Sequence, residues 1–133
     1  MRLDERWSPE PDLLVVREGR RHLMTPGHLD GPADMVIEIV SESDPRLDYR
    51  EKLPRYRHAN IEEIWIVDPF DHRVLVTHRA GAAWTEQNIG SGRLDSHVVA
   101  GFWIDVDWLW RGELPSTLAC LRAILGGPTD EPV

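Results

Sequence analysis

Residues 35 to 40 read MVIEIV and place a glutamate, Glu38, at the centre of an apolar and largely β-branched run. A run of this length and composition is typical of a strand that is buried on both faces. A carboxylate is costly at such a position unless a partner neutralises it. Because a charge of this kind rarely serves stability, we interpret Glu38 as a functional residue, and a metal ion is one partner that would fit.

The chain has the size of one domain with one core, which we assign to residues 1–127, followed by a flexible tail at 128–133. No uncharged apolar stretch is long enough to span a membrane, and the first residues, MRLDERWSPEPD, lack the features of a signal peptide. The single cysteine, Cys120, fits a reducing compartment. We therefore expect a cytoplasmic protein without a membrane segment.

The order of apolar runs and turn residues predicts an α+β fold, or an α/β layer with a mixed sheet. The short turn at 70–72 predicts an antiparallel hairpin, and the segment 17–32, rich in glycine and proline, is interpreted as a loop. Helices are predicted to begin near residue 48 and at residue 114. The predicted strands are 13–16, 35–40, 62–69, 73–78, 85–89 and 101–106.

The helix after the Glu38 strand has a recognisable start. Asp48, followed three residues later by Glu51, resembles a capping box and predicts an N-cap at Asp48. Tyr49, Leu53 and Tyr56 would form its inward stripe. Pro54 would disturb a regular helix, so a kink or a short initial turn is expected.

A closing helix is predicted over 114–125, ended by Gly126-Gly127-Pro128. Its apolar spacing defines one face, which we expect to be buried. That face is predicted to carry Leu118, Leu121, Ala123 and Leu125.

Two acids and a base could meet near the Glu38 strand. Asp12 follows Pro11 at the start of the first strand, so its carboxylate would converge with that of Glu38 if the two strands are neighbours. Such oxygens suit Mg²⁺ or Mn²⁺. Lys52, one helical turn beyond Asp48, would orient a water or neutralise charge on a phosphate. This set is what metal-assisted phosphodiester hydrolysis requires.

Simpler interpretations remain open for most of these residues. Asp12 after a proline is also typical of a turn or cap. The alternative for Lys52 is an ion pair with Asp48 alone, at i+4. The alternative for Tyr56 is a core position, and Asp68 before Pro69 is typical of a turn that ends a strand.

The formal net charge of −8 argues against a general polyanion-binding protein. Residues 45–58 nevertheless carry five cations against two anions. This cluster is either a solvated helix face or a surface that follows phosphates. Its candidates for phosphate contact are Arg46, Arg50, Arg55 and Arg57.

Several of these residues together resemble the Uma-type restriction endonuclease family, a branch of the PD-(D/E)XK nuclease superfamily. The resemblance covers about residues 9–80 and is most specific between 35 and 69. It lies in Pro11-Asp12, in Glu38-Ile39-Val40-Ser41, in the spacing of Asp48, Lys52 and Tyr56, and in EIWIVDP at 63–69.

The resemblance implies a restriction-endonuclease-like core, with a mixed sheet flanked by helices, in a Mg²⁺-dependent (or Mn²⁺-dependent) endonuclease acting on DNA. Asp12 and Glu38 resemble the metal-binding carboxylates. Lys52 resembles an active-site lysine moved from the strand to the following helix, since Val40 occupies the more common position. Asp48 and Tyr56 are secondary site candidates.

The family usually carries a further segment before the PD dipeptide, so the resemblance also implies an N-terminally shortened core. An apolar sheet edge left open in this way is commonly covered by dimerisation, and we expect a homodimer. The first alternative function is therefore a catalytically impaired nuclease-fold module acting in dimerisation or partner binding. The second is a phosphate-ester hydrolase acting on a small molecule.

Overall fold

The computed structural model describes residues 1–126. Its main sheet consists of β1 (Leu13–Val15), β2 (Met35–Ile39), β3 (Glu63–Asp68), β4 (Arg73–Ala80) and β5 (Ala83–Ile89). The strands lie side by side in this order. β2 and β3 are parallel, whereas all other neighbours are antiparallel. The mixed α+β fold and the hairpin of β3 and β4, both predicted from the sequence, are confirmed.

Three elements were not predicted: two 3₁₀ helices, of which the second spans Val106–Leu109, and a short strand at 93–95. The first 3₁₀ helix, Glu18–Leu23, lies within the segment interpreted as a loop. A second, two-stranded sheet pairs β6 (Arg93–Asp95) with β7 (Trp103–Asp105). β6 has a single apolar residue, Leu94, between two charged residues, so it contains no apolar run that would predict a strand.

One helical element connects the parallel strands β2 and β3, as a parallel pair requires. It begins as a π-helix, Leu47–Lys52, and continues directly into α1 (Leu53–His58). In the π turn, the N–H of Leu53 donates to the carbonyl of Asp48, five residues earlier. The wider turn accommodates Pro54, which lies in the first turn of α1 and has no N–H to donate. We call the whole element the composite helix.

The main sheet has two covered faces. The helix face, covered by the composite helix and the N-terminal segment, has a core formed by Met1, Leu29, Ala33, Val36, Val40, Leu53, Tyr56, Ile61, Ile64, Ile66 and Leu75. The opposite face is covered by residues 94–110, and we call it the hairpin face because the β6–β7 hairpin belongs to that segment. Its core is formed by Met35, Trp65, Val74, Val76, Leu94 and Val106. Because side chains alternate along a strand, Glu38 lies on the helix face whereas Met35 and its neighbour Glu63 lie on the hairpin face.

The closing helix exists, but three of the four side chains predicted to be buried are exposed, and the fourth, Ala123, is half-buried. The helix spans α2 (Thr117–Ile124), and Ser116 caps its start by accepting from the N–H of Ala119. Ala119 is 4% exposed, whereas Leu118, Leu121 and Leu125 are 52%, 47% and 74% exposed. The helix packs on the domain through its small side chains, so the apolar stripe points to solvent.

The tail predicted to be flexible, 128–133, lies outside the described residues. Within residues 1–126, none of the helices has both the length and the apolar character needed to cross a membrane.

Candidate active site

Glu38 is buried in β2, where it is 2% exposed, and two side chains of the composite helix contact its carboxylate. The hydroxyl of Tyr56 donates to Oε1 at 2.5 Å, and Nζ of Lys52 lies 3.3 Å from Oε2. Burial raises the pKa of Glu38, although the Tyr56 hydrogen bond and the Lys52 charge offset part of this effect. The sequence predicted that a charge buried here would need a partner, and Tyr56 and Lys52 are the partners that the structure shows.

Lys52 bridges two acids. Its Nζ lies 3.1 Å from Oδ1 of Asp48 as well as 3.3 Å from Glu38. Burial acts to lower the pKa of Lys52, but the hydrogen bond to Asp48 and the two negative charges outweigh it, so the pKa is raised. The pairing with Asp48 expected from i+4 spacing and the approach to Glu38 expected from the family resemblance therefore both occur.

Asp48 does not cap the helix, and this prediction was wrong. The residue at the N-cap is Arg46, and no side chain caps that end. Asp48 lies in the first turn, two residues after Arg46, is 4% exposed, and directs its carboxylate to Lys52. An acid followed four residues later by a lysine satisfies both patterns in a sequence, and only the position of the first helical turn distinguishes them.

Tyr56 is both a core residue and a site residue. It is 1% exposed, and its ring packs against that of Trp7 with centroids 5.3 Å apart. Burial and the hydrogen bond to Glu38 raise the pKa of the phenol far above its usual range. The hydroxyl therefore remains protonated and acts only as a donor to Glu38.

Asp12 lies at the edge of the same region. It precedes Leu13, whose partner across the β1–β2 pair is Ile37, so Asp12 comes level with Glu38. Its side chain is exposed, and Oδ2 accepts from the backbone N–H of Ile39 at 2.6 Å. The structure thus brings Asp12 to the backbone of the Glu38 strand through a contact between residues 27 positions apart, and this is not the local contact of a turn or cap residue.

This arrangement lies within a segment that is similar to a known family. The model of the Uma2 family, described as "Putative restriction endonuclease", matches residues 1–107. That range includes all seven strands and the composite helix, and hence every residue of the site. The chain belongs to the Uma2 family. Its mixed sheet and helices are consistent with a restriction-endonuclease-like fold, and no curated protein matches the chain.

The donors of this Uma2 chain can be compared with the needs of a metal ion. Within residues 1–126, no group of three or more His, Cys, Asp or Glu side chains is arranged to hold a metal. Mg²⁺ commonly takes one or two carboxylates and completes its coordination with waters and substrate phosphate. The hard oxygens of Asp12 and Glu38 fit this pattern. Both oxygens of Glu38, however, are already contacted by Tyr56 and Lys52.

The four arginines predicted to contact phosphate differ in how many contacts their guanidinium groups already make within the protein. Arg57 donates to the hydroxyl of Thr77 and to Glu86, at 2.8 and 2.7 Å. The guanidinium of Arg55 lies over the ring of Trp7, 4.0 Å from its centroid. Arg46 and Arg50 are exposed. A guanidinium stacked on an aromatic ring can still donate hydrogen bonds from its edge, so Arg57 is the most committed of the four.

Two features of the Uma2 site were not recognised in the sequence. The chain contains fourteen arginines but only one lysine, and that lysine is Lys52. The composition alone would have identified it as unusual. Trp7, which supports Tyr56 from the N-terminal segment, lies 49 positions away from it, and no local pattern indicates this contact.

Proposed function

We propose that the protein is a metal-dependent endonuclease that hydrolyses phosphodiester bonds in DNA. The observation that supports this best is the contact of Lys52 with the buried carboxylate of Glu38 in β2. The exposed Asp12 lies next to this contact and accepts a hydrogen bond from the backbone of the same strand, β2. Carboxylate oxygens and an ammonium group at the end of one strand are the groups that phosphodiester hydrolysis needs. The family description agrees with the reaction class.

Each residue has a defined task in this proposal. Glu38 and Asp12 would hold Mg²⁺ or Mn²⁺, and the bound ion would lower the pKa of a water and neutralise phosphate charge. Lys52 would donate hydrogen bonds to the phosphate oxygens as negative charge grows on them. Tyr56 fixes the orientation of Glu38 through its hydroxyl. Asp48 keeps the Lys52 ammonium charged and near the strand end.

The charge distribution supports DNA as the substrate on one side of the molecule only. The chain carries a net charge of −8, whereas residues 45–58 carry five cations and two anions. Phosphate binding by the exposed Arg46, Arg50 and Arg55 would keep the acidic remainder away from the DNA. We therefore expect weak binding with a strong dependence on salt.

The test is nicking of supercoiled plasmid DNA by the purified full chain, with Mg²⁺ or Mn²⁺ and with a chelator. Glu38→Gln keeps the size and the hydrogen-bonding oxygen but removes the charge that would hold the ion. We expect at least about a hundredfold loss of nicking in this variant. Its far-UV circular dichroism and urea unfolding should show that the fold is retained.

Glu51→Gln is the matched control. It removes one negative charge, as Glu38→Gln does, but from an exposed side chain on the composite helix. We expect this control to nick DNA at the rate of the unmodified protein. Equal nicking by Glu38→Gln and the unmodified protein would falsify the proposed function.

The second candidate function, a nuclease-fold module that works as a homodimer, is favoured by α2. Its apolar stripe, Leu118, Leu121 and Leu125, faces solvent at positions i, i+3 and i+7, the spacing of a seam between two helices. The helix carries a single charged side chain, Arg122, so two copies would meet without strong repulsion. We propose a second copy of the same helix as the occupant, since a stripe of this spacing is complementary to itself.

Light scattering after gel filtration tests the homodimer. The unmodified protein should elute with the mass of two chains, and the double variant Leu118→Glu and Leu121→Glu with the mass of one. A monomer in both cases would contradict the module. Arg111→Glu, an exposed change outside α2, is the control for added negative charge.

A further inference from the structure

We propose that Lys52 is a displaceable latch on Glu38: it occupies the carboxylate until a divalent cation replaces it, and this exchange frees the ammonium to face the substrate. The inference rests on the proposed function, because it assumes that Glu38 is a metal ligand. It goes further in assigning a resting state to the site and an order of events to its opening.

The first step of the argument is that Glu38 has no uncontacted oxygen. Oε1 accepts from Tyr56, Oε2 lies beside Nζ of Lys52, and the side chain is 3% exposed. A carboxylate has about four lone-pair sites, but the burial of Glu38 leaves few of them open to an ion from solvent. An ion that reaches Glu38 must therefore take the place of one of the two donors.

The second step identifies the donor that leaves. Tyr56 makes the shorter contact, 2.5 Å, and its ring is held in the core against Trp7. The side chain of Lys52 is 24% exposed, its contact with Glu38 is longer, and its stem has four rotatable carbons. Lys52 can move without disturbing the core, whereas Tyr56 cannot.

The third step concerns the cost of the movement. A buried acid that loses its only cation is strongly destabilised. Asp48, whose side chain is 6% exposed, lies 3.1 Å from the ammonium and can keep it after Glu38 is given up. The incoming ion neutralises Glu38 in exchange. Neither acid is left without a positive partner, so the exchange has two stable end states.

The fourth step is the choice of residue. The chain uses arginine at all its other fourteen cationic positions and lysine only here. Arginine suits permanent pairs because its planar fork binds a carboxylate at two points, as Arg93 binds both oxygens of Asp95. A compact ammonium on a flexible stem binds at one point and releases more readily. The lone lysine thus occupies the position where release is required.

Calorimetric titration of the full chain with Mn²⁺ tests the competition. Lys52→Met removes the competing charge and should bind Mn²⁺ about tenfold more tightly or better. Lys52→Arg, which keeps the charge in a more committed form, should bind no more tightly than the unmodified protein. Arg111→Met removes one charge next to Trp110, on the hairpin-face side, and should leave affinity unchanged. Equal or weaker binding by Lys52→Met overturns the latch.

Nuclear magnetic resonance observes the displacement itself. Because the chain has one lysine, ¹³C-lysine labelling gives a single side-chain signal that reports on Lys52. Addition of Mg²⁺ should move and narrow the Cε signal until the change saturates, and Glu38→Gln should abolish this change. Metal binding with no change at Lys52 overturns the latch but leaves the proposed endonuclease intact. If no protein binds metal, including Lys52→Met, both proposals fail.

Discussion

The main sheet contains two deeply buried glutamates on opposite faces, and they are satisfied in different ways. Glu63, on the hairpin face, is 0% exposed and accepts from four neutral donors. These are the indole of Trp65, the hydroxyl of Ser96 and the backbone N–H groups of His97 and Val98. Glu38, on the helix face, is contacted among residues 1–126 by two side-chain donors only, Tyr56 and the partly exposed Lys52.

The difference separates a structural carboxylate from a candidate ligand. The backbone donors around Glu63 cannot move away unless the loop at 96–98 unfolds, so this acid holds the β6–β7 hairpin against the main sheet. Lys52 can leave Glu38 by rotation of its own side chain, and the exposed Asp12 lies beside the same strand. Burial of a charge therefore does not by itself indicate function. The mobility of its partners does.

The largest expected effect is that of Glu63→Ala. The change leaves four donors without their acceptor beneath the hairpin, and we expect it to lower the free energy of unfolding by about 4 kcal/mol. That is a large part of the stability of a small domain. Urea unfolding followed by tryptophan fluorescence measures it. Glu38→Gln in the same assay should remain within about 1 kcal/mol of the unmodified protein, and a similar loss in both variants would remove the contrast.

A smaller effect is expected when each acid loses one neutral donor. Tyr56→Phe removes one of only two donors to Glu38 and should cost about 2 kcal/mol of unfolding free energy. Ser96→Ala removes one of four donors to Glu63 and should cost about 1 kcal/mol. Urea unfolding at pH 7 compares them directly. The reverse order would show that Glu63, not Glu38, depends on a single partner.

The smallest effect is a slope of stability with pH. The folded-state pKa of Glu38 is raised by burial, so the unfolded chain releases this proton at lower pH than the folded one. As pH rises from about 4.3, the unfolded-state value, ionisation of Glu38 increasingly favours unfolding until pH exceeds the folded-state pKa. The unmodified protein should therefore lose stability relative to Glu38→Gln over this window. Urea unfolding at several pH values measures the difference, and a difference independent of pH, as expected for Glu51→Gln, would contradict it.

Much of the fold was predictable because its elements have local patterns. β2, β3 and β4 follow from β-branched runs that end at polar or proline residues, and the proline predicted the irregular turn now seen in the composite helix. The burial of Leu118 and Leu121 was predicted wrongly because that prediction also used only a local pattern. Periodicity shows that an apolar stripe exists, but it does not show which surface the stripe faces.

The residues of the candidate site differ in how much of their role the sequence predicted. Glu38 stood out because a charge in an apolar run is rare, whereas Asp48 was misassigned because one spacing serves both a cap and an ion pair. The full set of hydrogen bonds to Glu63 was not predicted, since three of its four donors come from residues more than thirty positions away in sequence.

The sequence by itself determined that a carboxylate would be buried in the second strand and that a helix with one lysine would follow it, because periodicity, composition and spacing are properties of neighbouring residues. Only the tertiary structure decided which oxygen of Glu38 meets Tyr56 and which meets Lys52, and that the other buried glutamate is held by backbone. Those contacts depend on where the composite helix and the hairpin pack against the sheet, which is set by the whole core.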